Sequence, residues 1–92
     1  MTLLSADQVQ AELALTPGWE LAGGQITKTV THKDFAAALR YVNAVGYLAE
    51  KANHHPDIAV SWNKVTLTLV SHSAGGLTDR DFALARSLNG LD

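Results

Sequence analysis

The chain has no cysteine, which excludes disulfides and thiolate chemistry and fits a reducing compartment. Charge of neither sign dominates: seven Lys and Arg against nine Asp and Glu give a formal charge of −2. That leaves no basic footprint for nucleic acid or for an anionic membrane. No apolar run approaches the ~20 residues needed to span a bilayer. The opening MTLLSADQ turns polar early and lacks the basic n-region of a signal peptide. Internal repeats, low-complexity tracts and linkers are absent too. Together these absences set the expectation of a soluble cytoplasmic protein that engages neither nucleic acid nor membrane directly.

What is present is ordinary for a folded domain. Ninety-two residues, 47% of them apolar and 17% charged, suit one globular domain rather than a disordered chain. A domain this size buries little more than ~60% of its unfolded surface, so oligomerisation would help to stabilise it.

Three stretches share a helix-start grammar. Ser5 can cap, with Gln8 reaching back and Leu4 and Val9 at the staple positions. Thr31 with Asp34, and Thr78 with Asp81, repeat the arrangement, with Val30–Phe35 and Leu77–Phe82 as staples. The predicted helices run over about Ala6–Leu15, His32–Lys51 and Asp79–Asn89. In the second, Phe35, Leu39, Val42, Gly46 and Ala49 form one stripe, and Ala37, Tyr41, Ala44 and Leu48 a second. A helix apolar on two faces can meet a partner subunit with one of them. The third carries Leu84, Leu88 and Leu91.

Strands are expected between the helices. Trp19–Ala22 and Gln25–Thr31 flank Gly23-Gly24, a hairpin signal. Ile58–Trp62 and Val65–Ser71 alternate with period two, placing Ile58, Val60, Trp62, Val65, Leu67 and Leu69 on one apolar face. The order α-β-β-α-β-β-α predicts an α+β single domain, a four-stranded antiparallel sheet with helices packed on one face.

The second hairpin links three of the four histidines. With a turn at Asn63-Lys64, extending the ladder sets His72 opposite His55 and beside His54; a turn at Trp62-Asn63 keeps the parity and sets His72 opposite Asn53. Either register gathers the histidines at one end of the hairpin, with His72 on the face away from the helices. Imidazoles titrate near ~6.5, so an acid and a base can coexist there at neutral pH. The competing readings are surface histidines brought close by chance and a metal site. Zinc could take His54 or His55, His72 and a carboxylate. Adjacent residues on an extended chain point opposite ways, however, and no H-x-x-x-H or H-x-H spacing occurs; no metal is expected. Other residues have structural roles available: Asp81 as a helix cap, Trp62 as core, Gly75-Gly76 as the turn into the third helix. Glu50 could orient His54 from the helix end or be solvated.

Glu50, His54, His55, Pro56, Trp62, His72 and Asp81 stand in the pattern E-x3-H-H-P-x5-W-x9-H-x8-D. That pattern resembles the pterin-4a-carbinolamine dehydratases, as do Ser71–Leu77, Asp79-Arg80-Asp81, Gly18-Trp19 and Asp34-Phe35. The resemblance spans most of the chain. It implies dehydration of 4a-hydroxytetrahydropterin to quinonoid dihydropterin, a step that recycles the pterin of aromatic amino-acid hydroxylases and needs no cofactor. It further implies His54 and His72 as the acid/base pair, with His55 binding the pterin and sharing the proton work. Substrate contacts would come from His54-His55-Pro56 and Ser71-His72-Ser73-Ala74, with Trp19 and Arg80 as walls and Glu50 and Asp81 in support. Homodimers or homotetramers are implied. Some relatives serve instead as a dimerisation cofactor or an assembly factor, so a protein-binding module is the alternative. Ala74 departs from the cysteine of some members, and His32 stands where an aromatic residue is common. His32 is read as a surface residue at the helix start.

Overall fold

The structure, a computed structural model, describes residues 2–92. Its elements are α1 (Ala6–Ala14), β1 (Glu20–Ala22), β2 (Gln25–Thr31), α2 (Phe35–Ala52), β3 (Asp57–Ser61), β4 (Lys64–Leu69), a 3-10 turn (His72–Ala74) and α3 (Asp79–Asn89). The expected order holds. The four strands form one antiparallel sheet in the order β1-β2-β4-β3.

Period-two alternation on the central strands makes the core. Ile26, Val65, Leu67 and Leu69 point to one face and are fully buried. Ala38, Tyr41, Val45 and Ala49 of α2, and Phe82, Ala85 and Leu88 of α3, close over them. The spacing 38, 41, 45, 49 is a helical stripe, but it runs between the two read from the sequence. Phe35 and Leu39 are instead exposed, since they lie off the stripe that faces the sheet.

Two of the three helix starts are as expected. Ser5 and Gln8 form a capping box, and so do Thr78 and Asp81. The second does not form at Thr31. That residue pairs with Lys64 in the sheet, and the next amide, His32 N–H, donates to Asn63 O at 2.7 Å. The ladder takes these residues, so Asp34 caps α2 by accepting the Ala37 N–H at 2.8 Å. The Val30–Phe35 staple is lost with it. His32 lies before the helix, half-buried, with its ring 4.7 Å from that of Tyr41.

The β3–β4 turn is Trp62-Asn63, since Ser61 pairs with Lys64, Val60 with Val65 and Ile58 with Leu67. This is the second of the two registers weighed above. It removes Trp62 from the core face: the residue sits in the turn at φ 51 and is 70% exposed. Asn63 fixes the turn by also donating its side-chain amide to His32 O at 2.8 Å. β4 ends at Leu69 rather than Ser71, and Ser71 bridges to Gly76 instead of continuing the sheet.

The far end of α3 is clasped. Asn89 Oδ1 accepts Trp19 Nε1–H at 2.9 Å and Lys28 Nζ–H at 2.7 Å, and its amide nitrogen donates to Pro17 O at 2.9 Å. Lys28 also pairs with Asp92. A lysine on the core face of β2 is thereby satisfied with its stem covered.

Candidate active site

α2 ends in a turn that aims the next residue. Asn53 adopts the left-handed conformation (φ 51, ψ 43). Its N–H returns to Glu50 O and that of His54 to Ala49 O, both at 3.1 Å. This is a Schellman closure. It reverses the chain and lays the His54 ring toward the start of α3, where Arg80 donates to Asn53 O and ties the two helix ends together.

There His54 Nε2 lies 2.6 Å from Asp81 Oδ1. The histidine side chain is 11% exposed and the carboxylate fully buried. The second carboxylate oxygen takes the Thr78 N–H at 2.9 Å and the Ser71 hydroxyl at 2.8 Å. Ser71 and Thr78 hydroxyls are 2.8 Å apart. Since Ser71 donates to Asp81, Thr78 must donate to Ser71. Three donors therefore converge on a carboxylate with no access to water, the condition under which a buried charge is tolerated. This arrangement assigns the His54 proton to Nε2 and leaves the neutral ring an unshared pair on Nδ1, which has no partner among the described residues. Asp81 both starts α3 and fixes the histidine tautomer; the sequence had suggested the first of these. Glu50, offered as a partner for His54, bonds His55 Nε2 instead, at 2.7 Å, and both side chains face solvent. An exposed pair of this kind contributes at most ~1 kcal/mol and mainly restrains the ring.

His72 comes from the tight turn after β4. Ser71 and Gly76 exchange backbone bonds at 3.0 and 3.3 Å, and Gly75 closes the loop at φ 79, a conformation suited to glycine. The loop holds His72 outward and exposed. A pocket of about 320 Å³ results, with His54, His55 and Arg80 on one side and Ser71, His72 and Ser73 on the other. Its volume is at the lower end of ligand sites, ~300–1,000 Å³. Asn53 and Val70 complete it; the sequence reading did not single these out. Asn53 was legible as a left-handed helix terminator, and Val70 only through its parity with Thr68.

Pro56, Ala74 and Trp19 do not line this pocket. Pro56 leads into β3, Ala74 ends the 3-10 turn, and the indole of Trp19 is at the opposite end of α3 against Asn89. A larger hollow of about 430 Å³, lined by Leu3, Leu4, Leu21 and Leu77 among others, holds no histidine. Among the described residues no three His, Asp or Glu side chains are grouped as metal ligands, and no helix is long and apolar enough to cross a membrane.

The profile of the family described as Pterin 4 alpha carbinolamine dehydratase matches residues 2–91. A relative from Nocardia farcinica bearing that family's name is 47% identical over 89 residues, covering 97% of this chain and 94% of its own. One from Thermosynechococcus vestitus is 42% identical over 88 residues, covering 96% and 93%. The crystal structure of a transcriptional coactivator/pterin dehydratase from Brucella melitensis superposes with a TM-score of 0.92 at 30% identity, covering 98% of both chains. A pterin dehydratase-like RuBisCO assembly factor of the alpha-carboxysome shares the fold, with a TM-score of 0.64 at 20% identity over 79% of this chain and 84% of its own.

Proposed function

We propose, for a chain that belongs to the pterin-4-alpha-carbinolamine dehydratase family of hydro-lyases, that its histidine pocket converts 4a-hydroxytetrahydropterin to quinonoid dihydropterin and water. The observation that carries this is the buried Asp81–His54 pair opening onto a pocket that also holds His55 and His72. The reaction breaks the C4a–O bond. One proton goes to the leaving hydroxyl and one leaves a ring nitrogen, so no electrons or co-reactant are exchanged. His54, with its tautomer set by Asp81, is the base. His72, exposed on the opposite loop, delivers the proton to the hydroxyl. His55, restrained by Glu50, orients the ring and can share the proton traffic. Ser71 acts through Asp81, and Ser73 and Arg80 bound the pocket. General acid–base groups of this kind contribute ~10²–10⁴-fold each. Pro56 and Ala74 act through the backbone of their segments, and Trp19 by holding α3 in place.

The test is the decay of a 4a-hydroxytetrahydropterin with wild type, His54→Ala and His72→Ala. Wild type is expected to accelerate it, and each variant to lose ~10²-fold or more. No acceleration over buffer by wild type ends the enzyme reading.

Exposed apolar side chains favour a homodimer or homotetramer. Phe35, Leu39 and Tyr47 of α2, and Ile58 and Val60 of the edge strand β3, are 37–68% exposed. Sedimentation as a monomer at micromolar concentration would contradict this. The same surface supports the alternative of a protein-binding module, since relatives include a coactivator and an assembly factor; a copurifying partner with no pterin turnover would favour it. The lack of cysteine supports a cytoplasmic location.

A further inference from the structure

The histidine pocket has two ways out. One runs beside Arg80 into a cleft of about 160 Å³ that His54 and Arg80 also line. The guanidinium, held to Asn53 O, lines that cleft. The other passes His72. Val70 and His72 line both the histidine pocket and a second depression of about 320 Å³, whose other walls are Gly23, Gly24, Gln25, Gly75 and Gly76. A Cβ at Gly23, Gly24 or Gly75 would meet no atom within 4 Å, and all three have positive φ.

Four glycines make this depression a surface of peptide groups. Gln25 supplies its one long uncharged polar side chain. Ile26 pairs with Leu69, so continuing that register sets Gln25 across from Val70, on the open face of the sheet. Gln25 is half-buried, and none of the side-chain hydrogen bonds among the described residues involves its amide. An amide offers both donors and an acceptor, the complement of a hydroxyl. An alkyl group placed there would strip water from the amide and the peptide groups without replacing their bonds.

We propose that the second depression receives the substituent on carbon 6 of the pterin, and that Gln25 selects a hydroxylated one. This rests on the dehydratase reading of the histidine pocket. The ring lies between His54 and His72, and its side chain leaves past His72 over the glycines.

The experiment compares 4a-hydroxytetrahydropterins carrying methyl, propyl or polyhydroxypropyl at carbon 6, with wild type and Gln25→Leu. Each kcat/KM is taken relative to that enzyme's own rate on the methyl substrate, and folding of the variant is checked by thermal unfolding. Wild type is expected to favour polyhydroxypropyl over propyl by ~3–10-fold, the value of one partly exposed hydrogen bond. Gln25→Leu is expected to lose that preference. An unchanged ratio in the variant overturns the assignment of Gln25. A wild-type preference for propyl overturns the proposal and directs the substituent to the leucine-lined hollow. Failure of wild type on the methyl substrate overturns the dehydratase reading, and this proposal with it.

Discussion

Asp81→Asn keeps the shape of a fully buried side chain and removes its charge. The wild-type carboxylate accepts from His54 on one oxygen and from Ser71 and Thr78 on the other. Asparagine has one acceptor oxygen, and it is best used where two donors meet. Its NH2 group then faces His54 Nε2 and needs an acceptor there, so the imidazole must shift its proton to Nδ1. The ring keeps a hydrogen bond but loses the pair of electrons proposed to act as base. The charge-assisted bonds lost are worth ~1.5–3 kcal/mol. In a domain of about this size 1 kcal/mol moves Tm by ~4–8 °C, so a fall of roughly 6–24 °C is expected. Activity should fall further in proportion, by ~10²-fold or more in kcat. KM should move little, because Asp81 does not line the pocket. Dehydration would be followed at a temperature where circular dichroism shows the variant folded. A lowered Tm with unchanged kcat would refute the reasoning, and would reduce Asp81 to a helix cap.

Two further outcomes follow from the fold. Burial, aided by the Asp92 charge, raises the Tyr41 phenol to about 12. The folded chain then keeps a proton that the unfolded chain releases near ~10, so this contribution is full below pH ~10 and is lost as pH rises toward the folded value, by about 1–3 kcal/mol. Tyr41→Phe should flatten that alkaline limb in urea titrations, and should cost under ~1 kcal/mol at pH 7 because the hydroxyl has no partner among the described residues; a steep loss at neutral pH would show a bond to the phenol. Asn53→Gly relieves a left-handed residue and should raise stability by up to ~1 kcal/mol in the same titrations. A decrease would mean that the asparagine side chain stabilises the turn.

Features legible in the sequence were those decided within a few residues. The Ser5–Gln8 and Thr78–Asp81 boxes span three positions, and little else competes for their groups. Thr31 has the same local grammar, yet it lost to a ladder bond with β4, a partner thirty-three residues away in the chain. Alternation fixed the inward face of β4 without choosing between two turns of equal parity; the Asn63–His32 bonds accompany the choice, and Trp62 left the core as a result. The gathering of the histidines survived either register, which is why it could be read. The Asp81–His54 pair could not. It requires the α2 exit turn and the loop after β4 to meet, and nothing local to either residue announces that.

α3 is fastened at both ends by side-chain bonds, to His54 and Ser71 at Asp81 and to Trp19 and Lys28 at Asn89. Eight residues at ~1.5 Å each separate the two fastenings, a strut of roughly 12 Å. Lengthening or shortening it by one residue rotates one end by ~100° about the axis. Both fastenings cannot then be kept. Single insertions or deletions within α3 are therefore forbidden in a way that substitutions are not: either the Trp19 and Lys28 bonds to Asn89 are lost or the proposed base loses its proton anchor.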